Sequence, residues 1–308
     1  MTPQFTPASD ILAGWRADLT TGKAPTFYPV ADPESMLARI EIGPGMVTLF
    51  GGPPGAGKTA FVMQLVVDAL RLTPAIKALV ANVEMPPATL LDRQLARVSG
   101  IDLTTIRHRR LTPAHSDRFT VGMKTLADVI PRLAFVRMPF SLDNVARSAD
   151  AFGADVVVLD YIQRFAPPGE HAHKKAAVDA VMEYARGFAD AGVAVIVVAA
   201  VGRQKDENGR SGYGGLNLAS FRESSELEYG ADDAFLLVRE DPETAGPMTL
   251  KYVKSRHGEP LDIPLRFFGA TQRFDHADDQ ADGKLATAVR DMWGRKSGET
   301  DPLEGGEW

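Results

Sequence analysis

The sequence predicts an α/β protein with a mostly parallel sheet flanked by helices, and three observations predict it. From Met46 onward, apolar strand-like runs alternate with patterns whose apolar residues recur three and four apart, the signature of strands joined by crossover helices. A glycine-rich loop, Gly52-Pro53-Pro54-Gly55-Ala56-Gly57-Lys58-Thr59, sits between one such run and one such pattern. A further run, Val156-Val157-Val158-Leu159, ends in the carboxylate of Asp160.

Residues 1–45 are rich in Pro and polar residues. Within them Ile11, Leu12, Trp15 and Leu19 recur at helical spacing after the candidate N-caps Ser9 and Asp10, so one short amphipathic helix is expected in an N-terminal extension. The core is expected over residues 46–274. Its strands are expected at Met46–Phe50, Ala78–Val83, Leu133–Val136, Val156–Leu159, Val193–Ala199, Ala234–Val238 and Met248–Val253. Helices are expected at Thr59–Leu72, Ala88–Ser99, Asp143–Phe152 and Lys175–Ala191. Arg203 to Asn217 is Gly-rich, polar and too irregular for an element. Residues 275–308 form an acidic tail, nine Asp or Glu against four Lys or Arg, expected to project into solvent. One more helix is expected there over Lys284–Lys296, on the spacing of Leu285, Val289, Met292 and Trp293.

Bulk properties exclude several classes. With 308 residues, 44% hydrophobic and 24% charged, the chain buries a sizeable core and is expected to form one large domain with tails. The absence of cysteine rules out disulfide frameworks and thiolate zinc sites. A net charge of −6 argues against a basic coat for wrapping duplex DNA, though not against a narrow basic channel. Met1 to Asp10 lacks a basic start followed by an apolar run, and the longest apolar stretch, Val193 to Val201, is far short of a membrane span. A cytoplasmic protein with no membrane partner is expected.

Gly52, Gly57, Lys58 and Thr59 satisfy G-x-x-x-x-G-K-[ST] in the context that gives the motif its meaning, after a strand and before a helix. Glycines let the backbone fold round phosphates with its N–H groups inward, and the helix N-terminus favours negative charge. The loop from Gly52 to Thr59, with Ala60 behind it, is therefore expected to bind ATP. Lys58 is expected on the β- and γ-phosphates and the Thr59 hydroxyl on Mg²⁺. Asp160 is the candidate for the second Mg²⁺ ligand; a strand-terminal Asp by itself also serves as a turn or cap residue. Glu84, ending the strand ahead of Met85-Pro86-Pro87, is the candidate to orient the attacking water, the alternative being compensation of the helix dipole near Ala88. His171 and His173 have no third ligand patterned near them. Trp293 and Trp308 suit either packing or partner docking.

These and further segments resemble a family, the C-terminal motor domain of DnaB-like replicative helicases, whose fold is RecA-like. Asn82-Val83-Glu84-Met85-Pro86 and the following Leu91-Asp92-Arg93-Gln94-Leu95-Ala96 resemble its S-L-E-M-P and the arginine-bearing helix behind it. The stretch Ser99 to Arg107 continues the likeness, and Asp160-Tyr161-Ile162-Gln163 is similar to D-Y-L-Q. Phe221 to Asp232 resembles L-R-E-S-G-S-I-E-Q-D-A-D, and Lys254-Ser255-Arg256-His257-Gly258 resembles K-x-R-N-G. The order is kept over about 230 residues.

The resemblance implies a homo-hexamer or similar ring, hydrolysing ATP between subunits and moving on single-stranded DNA, with other replication proteins as partners. It implies that Arg256, beside Lys254, is an arginine finger acting in trans; without it, both residues read as a solvated face. It also implies that Arg222, Glu223 and Ser225 line a DNA channel. The loop carrying Arg203, Lys205, Arg210 and Tyr213 is expected to add basic and stacking groups, or else to be a solvent loop. Two positions depart from the family pattern. Ala200 stands where a phosphate-sensing glutamine is expected, and Ser225 replaces a glycine. The family's N-terminal, primase-contacting domain is not expected among the first 45 residues, where the Ile11–Leu19 helix corresponds at most to a linker helix on an adjacent subunit. An ATPase that uses ATP as an assembly switch without unwinding is the competing expectation. A small-molecule kinase is disfavoured by the lack of an Arg-rich lid.

Overall fold

A computed structural model describes residues 5–167, 174–202, 204–205, 211–212, 216–221, 225–239 and 247–277. In chain order the elements are α1 (Ala8–Thr21), β1 (Val47–Gly52), α2 (Lys58–Leu72), β2 (Ala78–Asn82), α3 (Pro87–Ser99), α4 (Leu103–Arg107) and α5 (Ser116–Val129). Then come β3 (Leu133–Phe135), α6 (Leu142–Phe152), β4 (Val156–Asp160), α7 (Lys174–Asp190), β5 (Ala194–Ala200), β6 (Gln204–Lys205) and β7 (Ser211–Gly212). The last are α8 (Ser225–Gly230), β8 (Asp233–Arg239), β9 (Pro247–Ser255), β10 (Ile263–Phe268) and β11 (Arg273–His276).

Among the described residues nine strands share one sheet in the order β11-β10-β9-β8-β1-β5-β4-β2-β3. From β8 to β3 neighbours run parallel, whereas β9, β10 and β11 extend the sheet antiparallel. The strands β1, β2 and β4 are buried along their whole length, as expected where helices cover both faces of a parallel sheet. Alternation sorts their side chains: Phe50 joins α2 and α3 in one core layer, and Leu49 joins α6 and α7 in the other. The sheet thus has the RecA-like arrangement expected, with loop, Asp160 and Glu84 gathered at the carboxyl ends of the parallel strands β1, β4 and β2. No helix among the described residues is long and apolar enough to cross a membrane.

Beyond α4 and α8, too short to show a period, four features depart from the expected elements. Tyr28, Val30, Leu37, Ile40 and Ile42 are buried in the α2 layer, so packing begins well ahead of residue 46. Apart from one 3-10 turn at Met36–Arg39 that segment is irregular and therefore carries no period to read. Helix α5 buries only Gly122, Leu126 and Val129, too few apolar positions to announce a helix. The hairpin β10–β11 continues the sheet through His276, past the expected end at 274. Within the stretch expected to be irregular, Gln204–Lys205 pairs antiparallel with Ser211–Gly212. The helix α1 forms where Ile11 to Leu19 indicated it, but none of its residues is buried. The tail from 278 onward, with the Lys284–Lys296 helix, Trp293 and Trp308, lies outside the described residues, as do His171 and His173.

Candidate nucleotide site

The phosphate loop lies between two fully formed elements. β1 ends at Gly52 and α2 starts at Lys58, with Gly57 as the N-cap at φ 96°, a left-handed conformation that glycine adopts without strain. A Cβ on Gly57 would also meet the Phe274 ring at 2.9 Å, so both backbone angle and space demand glycine. Lys58 Nζ donates to the carbonyls of Gly52 at 2.8 Å and Pro53 at 3.0 Å. Burial lowers the Lys58 pKa, while Asp160 and Glu84 oppose that shift.

The loop borders a cavity of about 490 Å³. Pro54, Gly55, Gly57, Lys58, Thr59 and Ala60 line it, and so do Glu84 and Asp160. The structure therefore brings together every phosphate, metal and water-orienting candidate except Gly52, Pro53 and Ala56. Gly52 and Pro53 supply the carbonyls that hold Lys58, and Ala56 is buried beneath the loop.

Asn82, which the sequence placed only in a motif, organises the acidic side. Its register partner in the neighbouring strand is Asp160. Asn82 Nδ2 donates to Asp160 Oδ2 at 2.6 Å, and its Oδ1 accepts the backbone N–H groups of Glu84 at 3.0 Å and Met85 at 2.7 Å. One amide thus ties the metal candidate to the turn that presents Glu84. A lone Asn closing an otherwise apolar strand was the available signal. Arg93 of α3 also lines the cavity, and its buried Nε has no hydrogen-bond partner among the described residues. A guanidinium N–H left open beside an anion pocket suits a phosphate oxygen.

Asp160 is 3% exposed, and burial pushes its carboxyl from an ordinary 3.8 up to about 6. Glu84 adds to that rise, whereas hydrogen bonds from Thr59 and Asn82 and the charge of Lys58 oppose it. The donor set fits Mg²⁺: a hydroxyl and a carboxylate in hydrogen-bond contact, both hard oxygen ligands, next to room for phosphates. The raised pKa has a sign that can be measured. The folded state holds the Asp160 proton more tightly than the unfolded chain does, so the associated stability is complete below 3.8 and lost as pH rises through about 6. Asp160→Asn removes this titration. Without nucleotide or metal, its melting temperature is expected to match the wild type near pH 4 and exceed it at pH 8; identical pH profiles would contradict the assignment.

Lys254 and Arg256 lie elsewhere. Ser255 pairs with Asp233, which in turn pairs with Thr48, so these residues flank the amino end of β1 while Lys58 follows its carboxyl end. About 17 Å of strand separates the two edges. In the single chain Arg256 Nη1 binds Asp232 Oδ1 at 2.8 Å, and Lys254 Nζ donates to Ala231 O at 2.6 Å. Asp232 also accepts from Val47 N–H at 2.8 Å and Arg186 Nη1 at 2.7 Å. Of the DNA candidates, Arg203, Arg210, Tyr213, Arg222 and Glu223 fall outside the described residues, Lys205 lies in β6, and Ser225 opens α8.

A profile of the DnaB-like helicase C-terminal domain matches residues 42–276. The chain belongs to that family. It is 26% identical over 252 residues to the replicative DNA helicase DnaB of Pasteurella multocida, covering 78% of this chain and 53% of that protein. It is 23% identical over 241 residues to DnaB of Geobacillus stearothermophilus, covering 73% and 52%. The chain thus spans about half the length of the curated relatives it matches. Among solved structures it superposes on an ATPase domain with a TM-score of 0.76 at 17% identity, covering 89% of this chain and 99% of that one. A DnaB-like replicative helicase studied with its interactions with primase gives 0.74 at 17% identity, covering 88% and 67%. At that identity the superpositions establish the fold, and the family assignment implies a nucleotide site at the loop described above.

Proposed function

We propose that this protein is an ATP-dependent DNA helicase or translocase that acts on single-stranded DNA as a cytoplasmic ring oligomer, a hexamer or similar, hydrolysing ATP at subunit interfaces. The observation that carries it is a division of parts. One sheet edge holds the loop, Thr59, Asp160, Glu84 and Arg93, and the opposite edge holds Lys254 and Arg256, out of reach of their own pocket. A site split this way is completed by a neighbouring subunit. The apolar stripe of α1 supports association, since Ile11, Leu12, Trp15 and Leu19 are each more than half exposed.

In this scheme Lys58 exchanges the Gly52 and Pro53 carbonyls for the β- and γ-phosphates of ATP. Thr59 and Asp160 would hold Mg²⁺, which would neutralise charge developing on the phosphates. Glu84, presented by Asn82, orients water in line with the γ-phosphate. Arg256 of the adjacent subunit stabilises the transferring group. Arg203, Lys205, Arg210, Arg222, Glu223 and Ser225 are proposed to contact DNA, and other replication proteins are proposed partners.

A second function is favoured by Ala200. It lines the cavity where a polar sensor is expected, and its backbone N–H and C=O are both taken by the Gln163 amide at 3.1 Å. An ATPase using ATP as an assembly switch, a loader or scaffold, needs no such sensor. Unwinding of a forked duplex, measured beside ATPase activity with and without single-stranded DNA, separates the two. DNA-stimulated hydrolysis with unwinding supports the motor, and hydrolysis without unwinding supports the switch. Lys58→Ala is the baseline for both and is expected to lose nucleotide binding and turnover; retention of either removes the loop from its role.

A further inference from the structure

One short segment, Ala231 to Asp233, joins the end of α8 to the start of β8 and holds both residues proposed to act in trans. Lys254 Nζ donates to Ala231 O at 2.6 Å and to Tyr229 O at 3.3 Å. The Arg256 guanidinium lies 2.8 Å from Asp232 Oδ1. The Arg256 backbone N–H donates to the Asp233 carboxylate, which also accepts from the Tyr252 hydroxyl. Strand pairing aims Arg256 here. Phe235 pairs with Tyr252 but Ala234 pairs with Lys254, so Val253 is a bulge. A bulge turns the residues after it.

Helix α7 braces the segment from behind. It approaches α8 so closely that a Cβ on Gly230 would meet Met182 Cγ at 2.9 Å. One turn on from Met182, Arg186 Nη1 donates to Asp232 Oδ2 at 2.7 Å, and Arg186 Nη2 donates to Gly45 O. Val47 N–H donates to the same Asp232 oxygen at 2.8 Å, which ties the carboxylate to the first residue of β1. Both aspartates are buried, whereas the Arg256 side chain is 48% exposed. With Arg186 on one carboxylate oxygen and Arg256 on the other, Asp232 holds the second guanidinium without cancelling its charge.

We infer that Asp232 and Asp233 form a mount that fixes the direction in which Arg256 enters the neighbouring subunit's site, and that Asp232 is thereby a positioning residue for ATP hydrolysis. The inference rests on the proposed ring and deepens it. A free arginine side chain samples many rotamers, and the ion pair to a buried carboxylate selects among them before the neighbour is met. A catalytic group displaced by about 1 Å loses about 10²-fold in rate.

Asp232→Asn keeps the shape of the side chain and removes its charge. It is expected to lower kcat for ATP by about 10- to 100-fold while ATP affinity stays within about twofold of wild type. Mixed rings separate mounting from a fault in the subunit's own fold or loop. Asp232→Asn subunits mixed with Lys58→Ala subunits, whose arginine and mount are intact, are expected to regain turnover. Mixed instead with the double variant Lys58→Ala/Asp232→Asn, they are expected to regain none. Should Asp232→Asn not fold, Asp232→Glu replaces it throughout with the same expectations, since it keeps the charge opposite Arg186 and moves the carboxylate by one methylene. The mount is overturned if kcat stays within about twofold of wild type, or if the two mixtures behave alike while Arg256→Ala mixed with Lys58→Ala does recover. If that last mixture recovers nothing, the proposed action in trans fails, and the mount with it.

Discussion

Arg256→Ala is expected to reduce ATP turnover by about 10³-fold or more while nucleotide binding persists. The expectation follows from position. Arg256 sits at the amino edge of β1, bound to Asp232, whereas the phosphate loop leaves the carboxyl edge of the same strand. No side chain spans that distance, so in the proposed ring any contribution to hydrolysis comes from the next subunit. Mixing Arg256→Ala with Lys58→Ala should therefore restore part of the turnover, because some interfaces then pair an intact loop with an intact arginine. Loss of the ion pair to buried Asp232 is a separate effect, limited by the half-exposed guanidinium and by Arg186, which keeps Asp232 paired. Arg256→Lys controls for it: the cation opposite Asp232 stays, but the bidentate fork is gone, and turnover is expected to fall nonetheless. Mixtures no more active than their components, or turnover near wild type in Arg256→Ala, would remove the residue from its role in trans.

Glu84→Gln is expected to leave ATP affinity within a few-fold of wild type and to slow hydrolysis by about 10²–10⁴. The substitution keeps the size of the side chain and its place after Asn82, whose Oδ1 holds the Glu84 backbone N–H, so the turn should persist. Only the carboxylate proposed to accept a proton from, or to align, the attacking water is lost. Single-turnover measurement with ATP bound before the chase distinguishes a slow chemical step from weak binding. Rapid hydrolysis in that experiment would return Glu84 to the structural alternative, compensation of the α3 dipole.

Much of the chemistry was legible because it is contiguous. A phosphate loop needs its glycines, lysine and hydroxyl within eight residues, and the flanking strand and helix declare themselves by period. Asp160 and Glu84 were legible for a related reason, since each ends an apolar run and parallel strands deliver such ends to one edge. Asn82 was harder. Its role depends on the register that sets it opposite Asp160, and register is a property of the paired strands. Arg93 lay within a recognised motif, yet only its buried Nε at the cavity, without a hydrogen-bond partner among the described residues, makes it a candidate phosphate contact.

A parallel α/β core, the loop from Gly52 to Thr59 with its helix, and the acidic residues that accompany it can all be read from residue order, because local steric and periodic demands select those residue types. Three-dimensional packing was needed to establish which sheet edge carries Arg256, that Asp232 holds it there, that residues 28–42 belong to the core, and that the β10–β11 hairpin borders the nucleotide cavity. Each of these joins segments far apart in the chain, as in the Gln64 to Phe274 pair that spans 210 positions. Such contacts follow from strand order and from the antiparallel extension past β8, and no short window of residues encodes them.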